Sequence, residues 1–269
     1  MTLTPRHLDR PFTRCDIAFA LRSGWAMFKA IPVVSLTLGA VITSIGAVVL
    51  LGIYRIGVSA MALPFAAGFM LLGPILLTGF FRLFETQADG RHPGMRDALA
   101  GYRQSPLGLW VVALLCAFLF MIWITDAGIL YSFMIGKLDV TRQPVWLNQL
   151  QEDVLSFTLW SSLMGSVLAF FVFALSAFSV PLLYQRRAKF SQAIYTSVYV
   201  VLRNFLTSIT WGLLLAGVIV MSILLLPLLA LTLPVMAYAS FSLYQRVFPS
   251  TEMESVSLPI GASKSSSTA

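Results

Sequence analysis

The chain has 269 residues, 58% of them apolar and 11% charged, with 18 basic against 11 acidic side chains and a formal net charge of +7. A soluble chain of this size with so few charges lacks the polar surface to cover its core, so the expected solvent is lipid. The basic excess is read below as a property of one membrane face, which removes nucleic acid from the expected partners.

The first residues, 1–15, form a basic segment expected on the cytoplasmic side, and no secretory signal peptide is read in it, because the first apolar run begins late and is too long for one. Thr13 and Asp16 make an [ST]-x-x-[DE] capping pair, and Phe12 and Ile17 can staple the start of a helix. Ile17, Leu21 and Phe28 then mark an apolar face and Arg22 and Lys29 a basic one, which predicts an amphipathic helix lying in the membrane plane. Apolar runs follow at Val33–Tyr54, Val58–Phe81, Pro106–Thr125, Leu155–Tyr184 and Phe205–Tyr244. About 20 helical residues cross the hydrocarbon layer, so each of the first four supplies one span. The 40 residues of the fifth are twice that length and are expected to turn near Pro227.

The expected architecture is therefore an all-α polytopic membrane protein with a domain at 16–248 and six transmembrane spans, at about 33–54, 58–81, 106–130, 157–183, 205–226 and 228–245. The Ser-rich tail 249–269 is expected to be disordered. In this arrangement fifteen of the eighteen basic residues fall on one side, leaving Arg55, Lys137 and Arg142 on the other, so both termini are expected to be cytoplasmic. The basic loops would face anionic lipid head groups.

One phrase recurs along the chain: Leu183-Tyr184-Gln185-Arg186, Leu243-Tyr244-Gln245-Arg246 and, more loosely, Leu83-Phe84-Glu85. Leu83 and Leu183 are each followed twenty residues later by an arginine, Arg103 and Arg203. The intervening segments carry helical apolar spacing, Met95, Leu99 and Tyr102 in one and Phe190, Ile194, Val198, Val201 and Phe205 in the other. "GWAMFKAIP" aligns with "ALAGYRQSP", matching Phe28 with Tyr102, Lys29 with Arg103 and Pro32 with Pro106. The predicted unit, present three times, is an in-plane amphipathic helix, a span outward, a turn and a span back. Tyr184 and Tyr244 are read as anchors at the membrane–water boundary rather than as a ligand site.

Small residues recur at every fourth position, at Ser35, Gly39, Thr43 and Ala47, at Ser161, Gly165 and Ala169, and at Ser208, Gly212 and Ala216. Such stripes let helix backbones approach closely in lipid and are read as packing seams. The external loop 131–156 is expected to hold a short interfacial helix from Pro144, with Leu147, Leu150, Val154 and Phe157 on one side.

Chemistry-bearing groups are sparse, and no catalytic, metal or cofactor residue is expected. The two histidines, His7 and His92, lie outside the spans, where they cannot ligate a membrane haem or copper. Cys15 and Cys116 are read as free thiols, Asp126 as a boundary residue at the external interface, and Glu152 and Asp153 as loop carboxylates without a nucleophile beside them.

"SGWAMFKAIPVVSLTLGA", "FAAGFMLLGPILLTGFFRLFE" and "ALAGYRQSPLGLW" together resemble a family of bacterial integral membrane proteins catalogued as domain of unknown function 2189, with the similarity running roughly from Asp16 to Gln245. The resemblance implies a bacterial inner-membrane location and brings neither an activity nor functional residues. Two functional classes stay open: a non-catalytic scaffold or assembly partner, and a transporter or lipid-handling protein whose spans break at Gly73-Pro74, Pro181 and Pro234.

Overall fold

The computed structural model describes residues 12–56, 73–134 and 152–249. Among them stand ten helices: α1 (Arg14–Ala30), α2 (Pro32–Ile56), α3 (Gly73–Ala88), α4 (Met95–Arg103), α5 (Leu107–Met134), α6 (Glu152–Ser176), α7 (Ser179–Tyr184), α8 (Phe190–Arg203), α9 (Phe205–Leu224) and α10 (Leu226–Val247). Five stretches are long and apolar enough to cross a membrane: Pro32–Ile56, Leu107–Met134, Leu155–Tyr184, Phe205–Ser222 and Pro227–Val247. Most of the expected second span, 58–81, lies outside the described residues, as do most of the external loop 131–156, nearly all of the tail, and His7, Lys137 and Arg142.

Local chemistry explains the helix boundaries. The Asp16 carboxylate accepts hydrogen bonds from the Thr13 N–H at 2.9 Å and the Thr13 hydroxyl at 2.8 Å, closing the start of α1 as its capping pair predicts. The Asp97 carboxylate accepts the Gly94 N–H at 2.8 Å in the same way at the start of α4. Pro32 has no N–H and drives the residue before it out of the helical region, so α1 stops at Ala30 and α2 restarts with proline in its first turn. Pro106 divides α4 from α5 in the same manner. Between α8 and α9 the break falls at Asn204, whose amide donates to the Val200 carbonyl at 3.0 Å and accepts the Phe12 N–H at 3.3 Å.

Two expected boundaries shift. The helix carrying Leu83-Phe84-Glu85 continues past Phe81 to Ala88. The fourth span, expected over 157–183 with a break at Pro181, is divided at Ala177–Phe178, one turn before that proline. Pro181 cannot donate to the Ala177 carbonyl, and the Ser197 hydroxyl of α8 enters the opened turn, accepting the Phe178 N–H at 3.1 Å and donating to the Ala174 carbonyl at 2.8 Å. A side chain from another helix thus bridges two backbone groups that an intact turn would pair directly.

α10 is the axis of the bundle. It packs against α1, α2, α3 and α9, and 61% of its span is buried against 17% for that of α9. α1 lies along it: Gly24 meets Val235 and Ala239, and eight residues earlier Asp16 meets Arg246. These two contacts order α1 antiparallel to α10. α4 folds back on α3 in the same sense, with Gly101 against the Thr78 carbonyl and Tyr102 donating to the Leu76 carbonyl at 3.1 Å, and α8 folds back on α6 and α7. Each short helix is thereby paired with a returning helix, and α1 takes the place beside α10.

The buried faces of the short helices differ from the apolar faces expected. α4 buries Ala98 and Gly101 while Leu99 is exposed. α8 buries Ala193, Thr196, Ser197, Val200 and Val201 and leaves Phe190 exposed, and Phe205, expected on the same face, is exposed at the start of α9. α1 buries Ile17 and Phe28 as expected, but also Ala20 and Gly24, with Leu21 half-buried. Close helix contact selects small side chains, and large apolar ones turn outward.

The three seams hold in part. Ser35, Gly39 and Thr43 are buried; Ser161, Gly165 and Ser208 are buried; Ala169 and Ala216 are exposed, so those two seams end before the third position. Outward-facing apolar residues run the length of the spans, among them Val41, Val48, Leu114, Phe118, Leu159, Phe171 and Leu213. A surface of this kind suits a lipid solvent.

Candidate functional site

The three copies of the recurring phrase meet at one end of the bundle. Leu83, Leu183 and Leu243 are all buried, and Phe81 stacks on Phe241 with ring centroids 4.6 Å apart. Tyr184 and Phe84 each set their rings edge-on against Phe241, so α3, α7 and α10 share one aromatic cluster.

Over this cluster Arg187 and polar members of the phrase form a directed chain of hydrogen bonds. Arg187 Nη1 donates to the Tyr244 hydroxyl at 3.3 Å, and Tyr244 donates to Gln185 Oε1 at 3.0 Å. Gln185 Nε2 donates to Glu85 Oε1 at 3.0 Å, and the Tyr184 hydroxyl donates to Glu85 Oε2 at 2.9 Å. Arg187 also donates to the backbone carbonyls of Phe248 at 2.8 Å and Pro249 at 3.1 Å. Every donor in the relay finds an acceptor, and the Glu85 carboxylate terminates it from two sides. A network satisfied in this way fixes the relative placement of the helices that carry it.

The expected role of Tyr184 and Tyr244 as boundary anchors is corrected by this arrangement. Tyr244 is fully enclosed and Tyr184 half-buried, because their hydroxyls have partners inside the bundle and their rings fill its core. Spacing alone could not reveal this, since the partner of each tyrosine lies in a different copy of the phrase, for example Glu85 for Tyr184.

Beside the network opens a cleft of about 590 Å³ between the end of α3, the end of α4 and the turn after α7, lined by Arg82, Glu85, Gln104, Tyr184, Arg186 and Arg187 among others. Three guanidinium groups and one carboxylate make it cationic. Arg82 stands 3.9 Å from Glu85, and its buried Nε has no hydrogen-bond partner. Arg186 adopts a left-handed backbone conformation with φ 54°.

That conformation belongs to a helix-terminating turn in which the Arg187 N–H reaches the Leu182 carbonyl at 3.0 Å and the Arg186 N–H the Leu183 carbonyl at 2.9 Å. The turn after α3 has the same two bonds, from Arg91 to Thr86 and from Gly90 to Gln87, and there the left-handed position is Gly90, with φ 75°. An arginine in a place that favours glycine costs about 1–2 kcal/mol.

A second polar contact joins the first helix to the last. Arg246 Nε donates to Asp16 Oδ1 at 2.6 Å, and its guanidinium lies 4.2 Å from the centroid of the Phe19 ring. Burial pushes the Asp16 carboxyl up, but the Thr13 hydrogen bonds and Arg246 outweigh it and hold the group below its ordinary value of 3.8. Burial pushes the Tyr102 phenol up to about 12.

Asp126 is half-buried on α5, Cys116 is buried in the same helix, and Cys15 and His92 are exposed. Among the described residues no three His, Cys, Asp or Glu side chains lie close enough to share a metal ion.

A family model described as "Predicted integral membrane protein (DUF2189)" matches residues 61–185, the stretch from the expected second span through α7. It is the family that the three quoted stretches resemble, over a shorter range than Asp16 to Gln245. No curated protein and no solved structure matches the chain. The family match and the long apolar helices together describe an integral membrane protein.

Proposed function

We propose that the chain is a non-catalytic scaffold or assembly partner in the bacterial inner membrane, built as three copies of a short helix, a span outward and a span back, with both termini in the cytoplasm. The carrying observation is the Arg187–Tyr244–Gln185–Glu85–Tyr184 relay, in which Tyr184, Gln185, Tyr244 and Glu85 from the three copies of the phrase bind one another and the adjacent Arg187 joins them. Groups that satisfy each other inside a bundle hold its helices in register. The same relay supports six crossings: the ends of α3, α7 and α10 meet on one face, so the chain that leaves that face along α2 has returned to it by Glu85.

The short helices support a boundary role. Trp25 lies four residues before Lys29, Leu99 before Arg103 and Tyr199 before Arg203, and all six side chains are exposed. Lys29 sits 5.4 Å from the Trp25 ring centroid and Arg203 5.9 Å from that of Tyr199. Paired amphipathic and cationic side chains of this kind suit the level of the head groups, with the basic residues at the carboxyl ends of helices where they also complement the dipole.

The test compares assembly with transport. Deleting the gene should dissolve or shift a larger membrane complex on native gels, and purified protein in liposomes should move neither a fluorescent phospholipid nor a solute faster than empty vesicles do. Accelerated lipid movement that depends on the intact protein would replace this proposal with the second reading, a lipid-handling protein. That reading draws on the cationic cleft and the broken α6–α7 helix.

A further inference from the structure

We infer that the cleft between α3, α4 and the turn after α7 binds a phosphate-bearing anion, such as the membrane presents in its lipid head groups. Four observations lead there. Arg82, Arg186 and Arg187 line one wall of a 590 Å³ opening that contains a single carboxylate, Glu85. Glu85 stands 3.9 Å from Arg82 and accepts Tyr184 and Gln185 besides, so one carboxylate offsets one of the three positive charges and the cleft stays cationic. The buried Nε of Arg82 has no acceptor among the described residues, and a phosphate oxygen would supply one.

The fourth is Arg186. The equivalent turn after α3 uses Gly90 for the left-handed residue, whereas this turn keeps an arginine in that strained place, on the lip of the cleft. Backbone strain at a ligand-facing residue is a signature of a site whose geometry serves something other than folding. Gln104, from the end of α4, adds a neutral amide to the wall. Planar guanidinium groups match the oxygens of phosphate in pairs, which a scattered set of lysines would not do.

Both a lipid phosphodiester and a soluble phosphate present this chemistry, and the lipid source rests on the proposed placing of the helix ends at head-group level. Full-length protein in a neutral detergent should therefore be titrated with phosphatidylglycerol, phosphatidylcholine, glycerol phosphate and inorganic phosphate, reading the unfolding temperature. Saturable stabilisation by phosphatidylglycerol above that by phosphatidylcholine is expected. Stabilisation by glycerol phosphate or inorganic phosphate alone, with the same arginine dependence, would assign the cleft to a soluble ligand.

Arg186→Gly is the informative variant, because it removes the cation and relaxes the backbone together. Unliganded, it should melt no lower than the parent protein, while its apparent affinity for the anion falls about fivefold, the share of one basic residue near a charged surface. Arg82→Gln should lower the affinity by a similar factor and Arg82→Lys should restore part of it. Lys189→Gln, a neighbouring charge outside the cleft lining, should leave the affinity unchanged. Equal responses from the cleft and control variants, or no stabilisation by any of the four probes, would overturn the assignment. Reporter fusions read the placement of the helix ends separately, so a failure of the membrane reading is distinguishable from a failure of the cleft.

Discussion

Asp16 shows how one side chain ties the first described helix to the last. Its carboxylate closes the start of α1 through Thr13 and receives Arg246 from the end of α10. Its folded-state pKa lies below the ordinary 3.8, so the stability it contributes is fully present above that value and is lost as the pH falls through the folded-state pKa. In thermal melts the parent protein should lose stability below about pH 4, and Asp16→Asn should lose less over the same interval while being less stable at neutral pH. An Asp16→Asn variant with the same acid slope as the parent would show that other carboxylates carry the effect.

Helix contacts are governed by the absence of side chains. Pro234 cannot donate to the Ala230 carbonyl, and Gly39 of α2 sits against that carbonyl so closely that an added Cβ would collide with its oxygen. Ser35, one turn earlier, meets the Tyr238 hydroxyl at 2.7 Å. Gly39→Ala should therefore cost about 1–3 kcal/mol in overpacking, against its better helix propensity. Gly52→Ala in the same helix, where nothing lies within 4 Å of the new methyl, should instead stabilise by up to about 1 kcal/mol. Unfolding of both variants in mixed micelles checks the contrast. The short helices give a second test at this scale. Replacing Lys29, Arg103 and Arg203 together by Glu removes about 1 kcal/mol of head-group attraction per residue and adds repulsion, so insertion or thermal stability in anionic bilayers should fall. Unchanged insertion and melting would point to a docking face for a soluble partner instead.

Taken whole, the molecule places its least apolar span at the centre. α10 has the lowest hydropathy of the five candidate spans and the most buried one, while the more apolar α5 and α9 face outward. Lipid rewards apolar exteriors, so small and hydrogen-bonding residues such as Ser242, Tyr238 and Ala239 collect in the interior. α1 completes the set by packing on α10 as α4 packs on α3 and α8 on α6 and α7, which joins the first described helix to the last. The six crossings proposed above predict that reporters fused after Tyr54 and Leu226 read the external side and those after Gly90, Lys189 and Pro249 the internal side. A reporter after Pro249 on the external side would reduce the crossings to an odd number.

Much of the element level was legible in the sequence. The Thr13–Asp16 start of α1, the breaks at Pro32 and Pro106 and the division of Phe205–Tyr244 near Pro227 depend on covalent geometry and local hydrogen bonds, which a linear reading contains. The recurrence of Leu-[Tyr/Phe]-[Gln/Glu] was equally visible, but its meaning was not. Whether Tyr184 faces a membrane boundary or the carboxylate of Glu85, ninety-nine residues away, depends on how helices pack. The same holds for the faces of α4 and α8: in lipid, apolar periodicity no longer marks the inside, because the solvent is as apolar as the core. The tertiary structure decided which side chains meet, since that choice rests on close approach at residues such as Gly24, Gly39 and Gly101 and on hydrogen bonds between distant segments, neither of which has a local signature.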